Sequence, residues 1–507
     1  EISLGLVGSE MCIRDSLRMT ESTTFYWYDF ETFGLDCRRD RPAQFAGIRT
    51  DMDLNPQGDG DVFYSRPSGD YLPSPESCLL TGMTPQICEE RGIPESKFAG
   101  EVWSRLNRPG TISIGYNASG FDNEVARFLF WRNFLDPYSH QHRNGCSCWD
   151  LYPLVCAVWA LRGDGIEWPL RKDVDPESND EKSVSFRLEC LSKANGIVHA
   201  HSHEALSDAM ATLGLAALIR KTEPRLWKWA LENRSGEAVK AAVTKGPVVW
   251  ISPKFGQARG FLRIAARIPF PGESGNSALM WDLSVDPLIV TKLSDEEIKS
   301  RLFARREDLA DGEEPLPVYR LAMNNSPFVC ANLKVLSPER MDRFGVKPQE
   351  ILANWERFKE LGNVIAGRLA GLMGRRERPA PKDVDFGLYD GGFASGHDVE
   401  MMARVRGMTP ESLAKGSIHF DDERFNQLLV RYRARNWQET LNDEERSQWT
   451  VFCRSRLMDG ADGALTVSAY FDEIDRLQES TLEDEEKQLV LEALYEWGER
   501  AGEACAF

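Results

Sequence analysis

Residues 23–30 read TTFYWYDF, a run of β-branched and aromatic residues that favours an extended strand, with the acids Asp29 and Glu31 placed at its end. Two more strand-like runs follow at residues 44–51 and 61–65, ahead of a turn-rich segment at 73–75, so the chain opens as a meander. After a short strand at residues 111–116, apolar residues recur at helical spacing over 122–134 and again over 205–219. Strands and then helices on one stretch of chain predict an α/β sheet with helices packed on it.

At 507 residues the chain is longer than one hydrophobic core usually supports, so about three domains are expected. The pattern breaks near Thr222-Glu223-Pro224, after which short strands separated by Gly and Pro at 248–252, 260–268 and 278–285 predict a small β-rich domain. The charged, proline-bearing stretch GRRERPAPKD, residues 374–383, reads as a linker, and helical patterns at 423–435, 443–457 and 481–501 predict a helical third domain. The expected division is therefore 19–221, 222–373 and 384–507. Residues 1–18 precede Met19-Thr20-Glu21, which reads as an ordinary start, and are expected to be a non-native or disordered leader.

No apolar run approaches the ~18–20 residues of a membrane span, and eleven scattered cysteines fit reduced thiols in cytoplasm better than a disulfide framework. A net charge of −18 argues against a nucleic-acid partner, yet residues 220–267 hold eleven Lys/Arg against three acids, a local +8. Trp227, Trp229, Trp250, Phe255 and Phe261 are interleaved with these cations, which is how an unpaired strand is held without sequence preference, although each of these aromatics taken singly is more often a core residue.

Three short patterns carry the chemistry. Alternation along a strand puts Asp29 and Glu31 on one side, and two adjacent carboxylates call for a cation; oxygen-only ligands point to Mg²⁺ or Mn²⁺. Asn117-x₃-Phe121-Asp122 runs from a strand into a helix that begins near Asp122, where an acid is most often a cap. His203-x₄-Asp208 reaches one centre only if His203 lies on the loop entering the helix and Asp208 lies within it, because five positions turn through about 140°. A zinc site built from His199, His201 and His203 competes with this reading, and the loop from His140 to Cys148, with two His and two Cys, offers another; the latter is read as a surface loop.

In the order Asp-x-Glu, Asn-x₃-Phe-Asp, His-x₄-Asp, these patterns resemble the four-carboxylate, histidine-assisted 3′–5′ exonucleases of the ribonuclease H-like fold. The flanking YDFETFG, RPAQFAGIRTD, DYLPSPESCLLTGMTPQ, GYNASGFDNEVARFLFWRNFLDPY, SFRLECLSKANGI and LLVRYRARNWQETL narrow the resemblance to bacterial exonuclease I. That resemblance implies an α/β ribonuclease H-like domain with a mixed sheet, an SH3-like β domain and an α-helical C-terminal domain. It implies Asp29, Glu31, Asp122 and Asp208 as ligands of two Mg²⁺ ions, with Mn²⁺ able to substitute, and His203 as general base. Glu31 and Arg187 would meet the terminal nucleotide, with Thr32 and Phe33 beside it, Arg127 and Tyr138 further along, and Lys254 and Arg259 in the basic stretch. It further implies a monomer acting on single-stranded DNA in repair and recombination, and docking of the C-terminal tail of single-stranded DNA-binding protein on Arg162 and Lys359, with Ser337 standing where relatives offer a basic residue. A 3′–5′ exoribonuclease and a catalytically silent strand-binding scaffold are the alternatives.

Overall fold

The computed structural model describes residues 23–171, 183–199, 203–270, 275–373 and 383–505. The leader expected at 1–18, His201 and all of the linker except Asp383 lie outside the described residues. The chain gathers into two compact units, one of Glu1–Cys148, Ala200–Met210 and Ala380–Phe507, the other of Trp149–His199 and Ala211–Pro379.

A mixed five-stranded sheet has the order β3-β2-β1-β4-β5; β1 (Thr24–Thr32), β2 (Pro42–Thr50), β3 (Asp61–Tyr64) and β4 (Thr111–Gly115) belong to the first unit, and β5 (Ser147–Asp150) begins in it. β1 pairs antiparallel with β2 and parallel with β4, and β2 pairs antiparallel with β3, so the first three strands form the expected meander. All nine residues of β2 are buried, and in β1 only Asp29 is not. Tyr26, Tyr28, Phe30 and Phe45 pack against the helices Glu95–Leu106 and Asp122–Arg132 through Phe98, Val102, Val125 and Leu129. Burying each such side chain contributes about 1.5–3 kcal/mol.

The turn-rich segment at 73–75 turns out to start a helix, Pro75–Thr81, whose N-cap Ser74 accepts the Ser77 N–H and whose proline sits at the first turn. The same device, Thr84 followed by Pro85, opens Pro85–Arg91. These two short helices share a core with the C-terminal helices: Cys78 and Cys88 lie with Trp449, Leu457, Tyr470, Leu491 and Trp497. A second shared core joins Phe128, Trp131 and Phe134 to Met401, Phe420, Phe425 and Tyr432. The C-terminal helical region thus folds onto the N-terminal α/β region within one unit.

In the second unit an antiparallel sheet of order β10-β6-β7-β8-β9 comprises β6 (Val248–Ile251), β7 (Leu262–Arg267), β8 (Ser277–Asp282), β9 (Val318–Ala322) and β10 (Phe328–Cys330). Two helices, Pro224–Asn233 and Gly236–Lys245, precede it, and a 25-residue helix, Pro348–Leu372, follows. Among the described residues no helix is long and apolar enough to cross a membrane.

Candidate active site

β1 carries Asp29 and Glu31 to the end of the sheet where its register with β2 slips: Glu31 faces Gln44 while Thr32 faces Pro42, leaving Ala43 as an extra residue. Such a bulge bends the strand and re-aims side chains, and bulges are over-represented beside active sites. Asp122 is the first residue of its helix, and instead of capping that helix its Oδ1 accepts the Phe30 N–H at 3.2 Å. It therefore ties the helix start to β1 between the two acids. His203 lies on the loop just before the helix Ala205–Thr222, with Asp208 inside the helix, as the spacing requires.

Glu31, His203 and Asp208 bring their ligand atoms within 4.8 Å of one another, and among the described residues this is the only such group of three or more. Asp29 and Asp122 lie close enough to act through their charge. Burial pushes the Asp29 carboxyl well above its ordinary range, and Asp122, Glu31 and Asp208 raise it further. Burial, then Asp208 and Asp122, push Glu31 up to about 8. Carboxylates that disfavour one another's ionisation form a site that gains when a divalent cation supplies positive charge. Asn117 and His203 both hold left-handed backbone, φ 59° and 64°. Such conformations cost on the order of 1–3 kcal/mol for non-glycine residues and cluster at functional sites.

The other predicted site residues meet different fates. Thr32 is buried, its hydroxyl donating to the Gly34 carbonyl at 2.7 Å. Phe33 is 1% exposed and packs in the core near Tyr71. Arg127 pairs with Glu124 and donates to Gln141 Oε1 at 2.9 Å, with Tyr138 5.5 Å away under its guanidinium. In the second unit Arg187 caps the helix Leu188–Ala194 and is exposed, 3.8 Å from Glu189. Lys254 places its ammonium 4.0 Å over the Trp250 ring and donates to the Arg320 carbonyl at 2.9 Å. Burial lowers its pKa to about 8. Arg259 is exposed on the wall of a cavity of about 430 Å³ shared with Phe344 and Lys347. Arg162 donates to the Leu161 carbonyl, Lys359 pairs with Glu356 at 2.6 Å, and Ser337 is an N-cap.

The aromatics of the basic stretch follow the core reading, and the expectation for one loop is corrected. Trp227, Trp250, Phe255 and Phe261 are all less than 7% exposed, and only Trp229 of the five is partly open, so these aromatics build cores rather than a stacking platform. The loop from His140 to Cys148 is not simply surface: His140 is fully buried, edge-on to Phe130, and burial lowers its pKa to about 3. Cys146 is buried too, its thiol donating to the Arg108 carbonyl. Sequence reasoning missed Gln44, whose Oε1 accepts the Ala205 N–H at 3.0 Å. The signal was a lone amide in an otherwise apolar strand, PAQFAGI.

Three family models match the chain in order: Exonuclease over residues 26–216, Exonuclease I SH3-like domain over 234–372 and Exonuclease I C-terminal domain over 382–501. Fold and site together define an exonuclease that uses divalent metal ions, extended by an SH3-like and a C-terminal helical domain. The chain is 34% identical to exodeoxyribonuclease I of Haemophilus influenzae over 485 residues, covering 95% of this chain and 99% of that one. Escherichia coli exonuclease I in complex with a dA16 oligonucleotide superposes with a TM-score of 0.88 at 35% identity, covering 94% of this chain and all of the other. A zinc-bound E. coli exonuclease I complex with single-stranded DNA gives a TM-score of 0.86 at 35% identity, covering 95% and 99%. The chain belongs to the exonuclease I family and is an exodeoxyribonuclease.

Proposed function

We propose that this enzyme removes 5′-mononucleotides processively from the 3′ end of single-stranded DNA. The observation that carries the reading is the cluster of Asp29, Glu31, Asp122 and Asp208, in which Asp122 and Asp208 push Asp29 and Glu31 upward, with His203 at ligand distance from Glu31 and Asp208. These four carboxylates would hold two Mg²⁺ ions, which supply activation of the attacking water and stabilisation of the leaving oxygen.

His203 accepts the proton of the attacking water on a ring nitrogen, and its fixed backbone keeps the ring turned toward Glu31 and Asp208. Glu31 also meets the terminal nucleotide with Arg187, and Thr32 and Phe33 lie beside it. Arg127 and Tyr138 hold the strand further along. Lys254 and Arg259 contact phosphates, Lys254 by exchanging the Arg320 carbonyl for a phosphate oxygen. The domain division is taken as 19–221, 222–373 and 384–507. The enzyme acts as a monomer in the cytoplasm, in repair and recombination. Arg162 and Lys359 receive the carboxylates of the C-terminal tail of single-stranded DNA-binding protein. A tail peptide that shows no binding by fluorescence anisotropy at low salt removes that partner.

The decisive experiment follows mononucleotide release from 3′-labelled single-stranded DNA, duplex DNA and RNA, with Mg²⁺ and with EDTA. Release from single-stranded DNA alone, abolished by EDTA, is expected. Equal release from RNA would turn the reading to an exoribonuclease, and release in excess EDTA would end the metal mechanism.

A further inference from the structure

Gln44 stands directly opposite Glu31 in the register of β1 and β2. Residues paired across an antiparallel ladder carry their side chains on one face, with Cβ atoms about 4.5–5.5 Å apart. The Gln44 side chain therefore runs beside that of Glu31. Its Oε1 accepts the N–H of Ala205, the first residue of the helix that carries Asp208. The opening amides of a helix have no partner within it, and here a strand residue supplies one in place of a local Ser, Thr, Asp or Asn cap. Gln44 is 0% exposed, and its Nε2 has no hydrogen-bond partner. Burying an amide with one end unpaired is unfavourable for folding, so a purely structural need is poorly served by glutamine at this position.

We propose that Gln44 is a positioning residue for hydrolysis, fixing the start of the Ala205–Thr222 helix against β1 so that His203 and Asp208 face Glu31. The inference rests on the reading of those three residues as the active site. It gives the left-handed His203, two residues before Ala205, a fixed neighbour on which to hold its conformation.

Gln44→Met keeps the length of the side chain and removes the amide. Groups that orient metal ligands are typically worth 10–100-fold in metal affinity or activity. The expected result is a kcat lower by about that factor with KM for the strand unchanged, and Mn²⁺ affinity, measured by calorimetry without substrate, lower by a similar factor. Should the methionine variant not fold, Gln44→Asn, whose acceptor stops short of Ala205, carries the same expectation. Wild-type kcat and Mn²⁺ affinity in the amide-lacking or shortened variant overturn the proposal. A lowered melting temperature with unchanged kcat shows a structural role only and also overturns it. If the wild-type protein itself releases no nucleotide, the functional reading has failed instead.

Discussion

The first unit buries carboxylates in two places and treats them in opposite ways. In the active site Asp29 and Glu31 are pushed up by burial and by neighbouring acids. In the second place Asp70 and Asp385, at most 1% exposed, are ringed by guanidinium groups. Arg435 lies 2.8 Å from Asp70 and 2.5 Å from Asp385, Arg456 lies 3.1 Å from Asp70, and Arg41 lies 3.5 Å from both. Burial alone would raise these two carboxyls, but Arg435 and its fellows outweigh it and hold both far below the usual carboxylate range. The same residue type is thus a settled part of the fold where permanent cations are built in. Where none is built in, the proposed reading makes it a binding site for a cation that comes and goes. The ringed acids also join the exonuclease region, through Arg41 and Asp70, to the C-terminal region, through Asp385, Arg435 and Arg456.

The largest effect is expected at the site acids. Asp29→Asn or Asp208→Asn reduces mononucleotide release to background by removing a metal ligand, and in EDTA at alkaline pH, where the raised Asp29 carboxyl is driven to ionise, Asp29→Asn raises the melting temperature by taking one charge out of a repelling group. A fall in the EDTA melting temperature would erase the contrast drawn here. His203→Ala lowers kcat by on the order of 10²–10⁴, the usual worth of a general base; near-normal turnover would remove that assignment. In the ringed network Asp385→Ala leaves Arg41, Arg435 and Arg456 sharing the single carboxylate of Asp70 and lowers stability by up to about 3–5 kcal/mol, read from denaturant unfolding, and a change below 1 kcal/mol would show the ring to be dispensable.

The two sites also oppose each other in pH. Glu31 rises from an ordinary 4.5 to about 8 on folding, so its contribution is fully present below about 4.5 and is lost as pH climbs through 8. Asp70 and Asp385 are depressed from an ordinary 3.8, so theirs is present above that value and is lost in acid. The metal-free protein should therefore lose melting temperature on both flanks, and Mg²⁺ should restore only the alkaline one. The smallest effect is expected from Lys254→Ala and Arg259→Ala, each flattening the log–log salt dependence of strand affinity by about 0.7. Lys254, already engaged with Arg320, should give the smaller change of the two.

Much of this was legible in sequence because it is local. A run such as TFYWYDF makes a strand wherever it lies, alternation fixes Asp29 and Glu31 on one side, and helical spacing places Asp208 inside its helix and His203 ahead of it. The helices at Pro75–Thr81 and Pro85–Arg91 were missed because a proline at the first helical turn reads equally well as a turn. The basic stretch was visible as charge, but whether Trp227 or Trp250 faced solvent or core could not be read from composition.

What the sequence alone determined are the residue types, their spacing and hence the local elements, since these follow from backbone sterics and hydrophobic periodicity within a few turns of chain. Only the tertiary structure decided that the helices after residue 383 share a core with the helices at 75–91, and that Gln44 reaches the amide of Ala205, 161 positions away. It also decided that Asp70 meets three arginines while Asp29 meets three acids. The physical reason is that a carboxylate's charge state depends on what lies within a few ångströms of it through space, and separation along the chain says nothing of that distance.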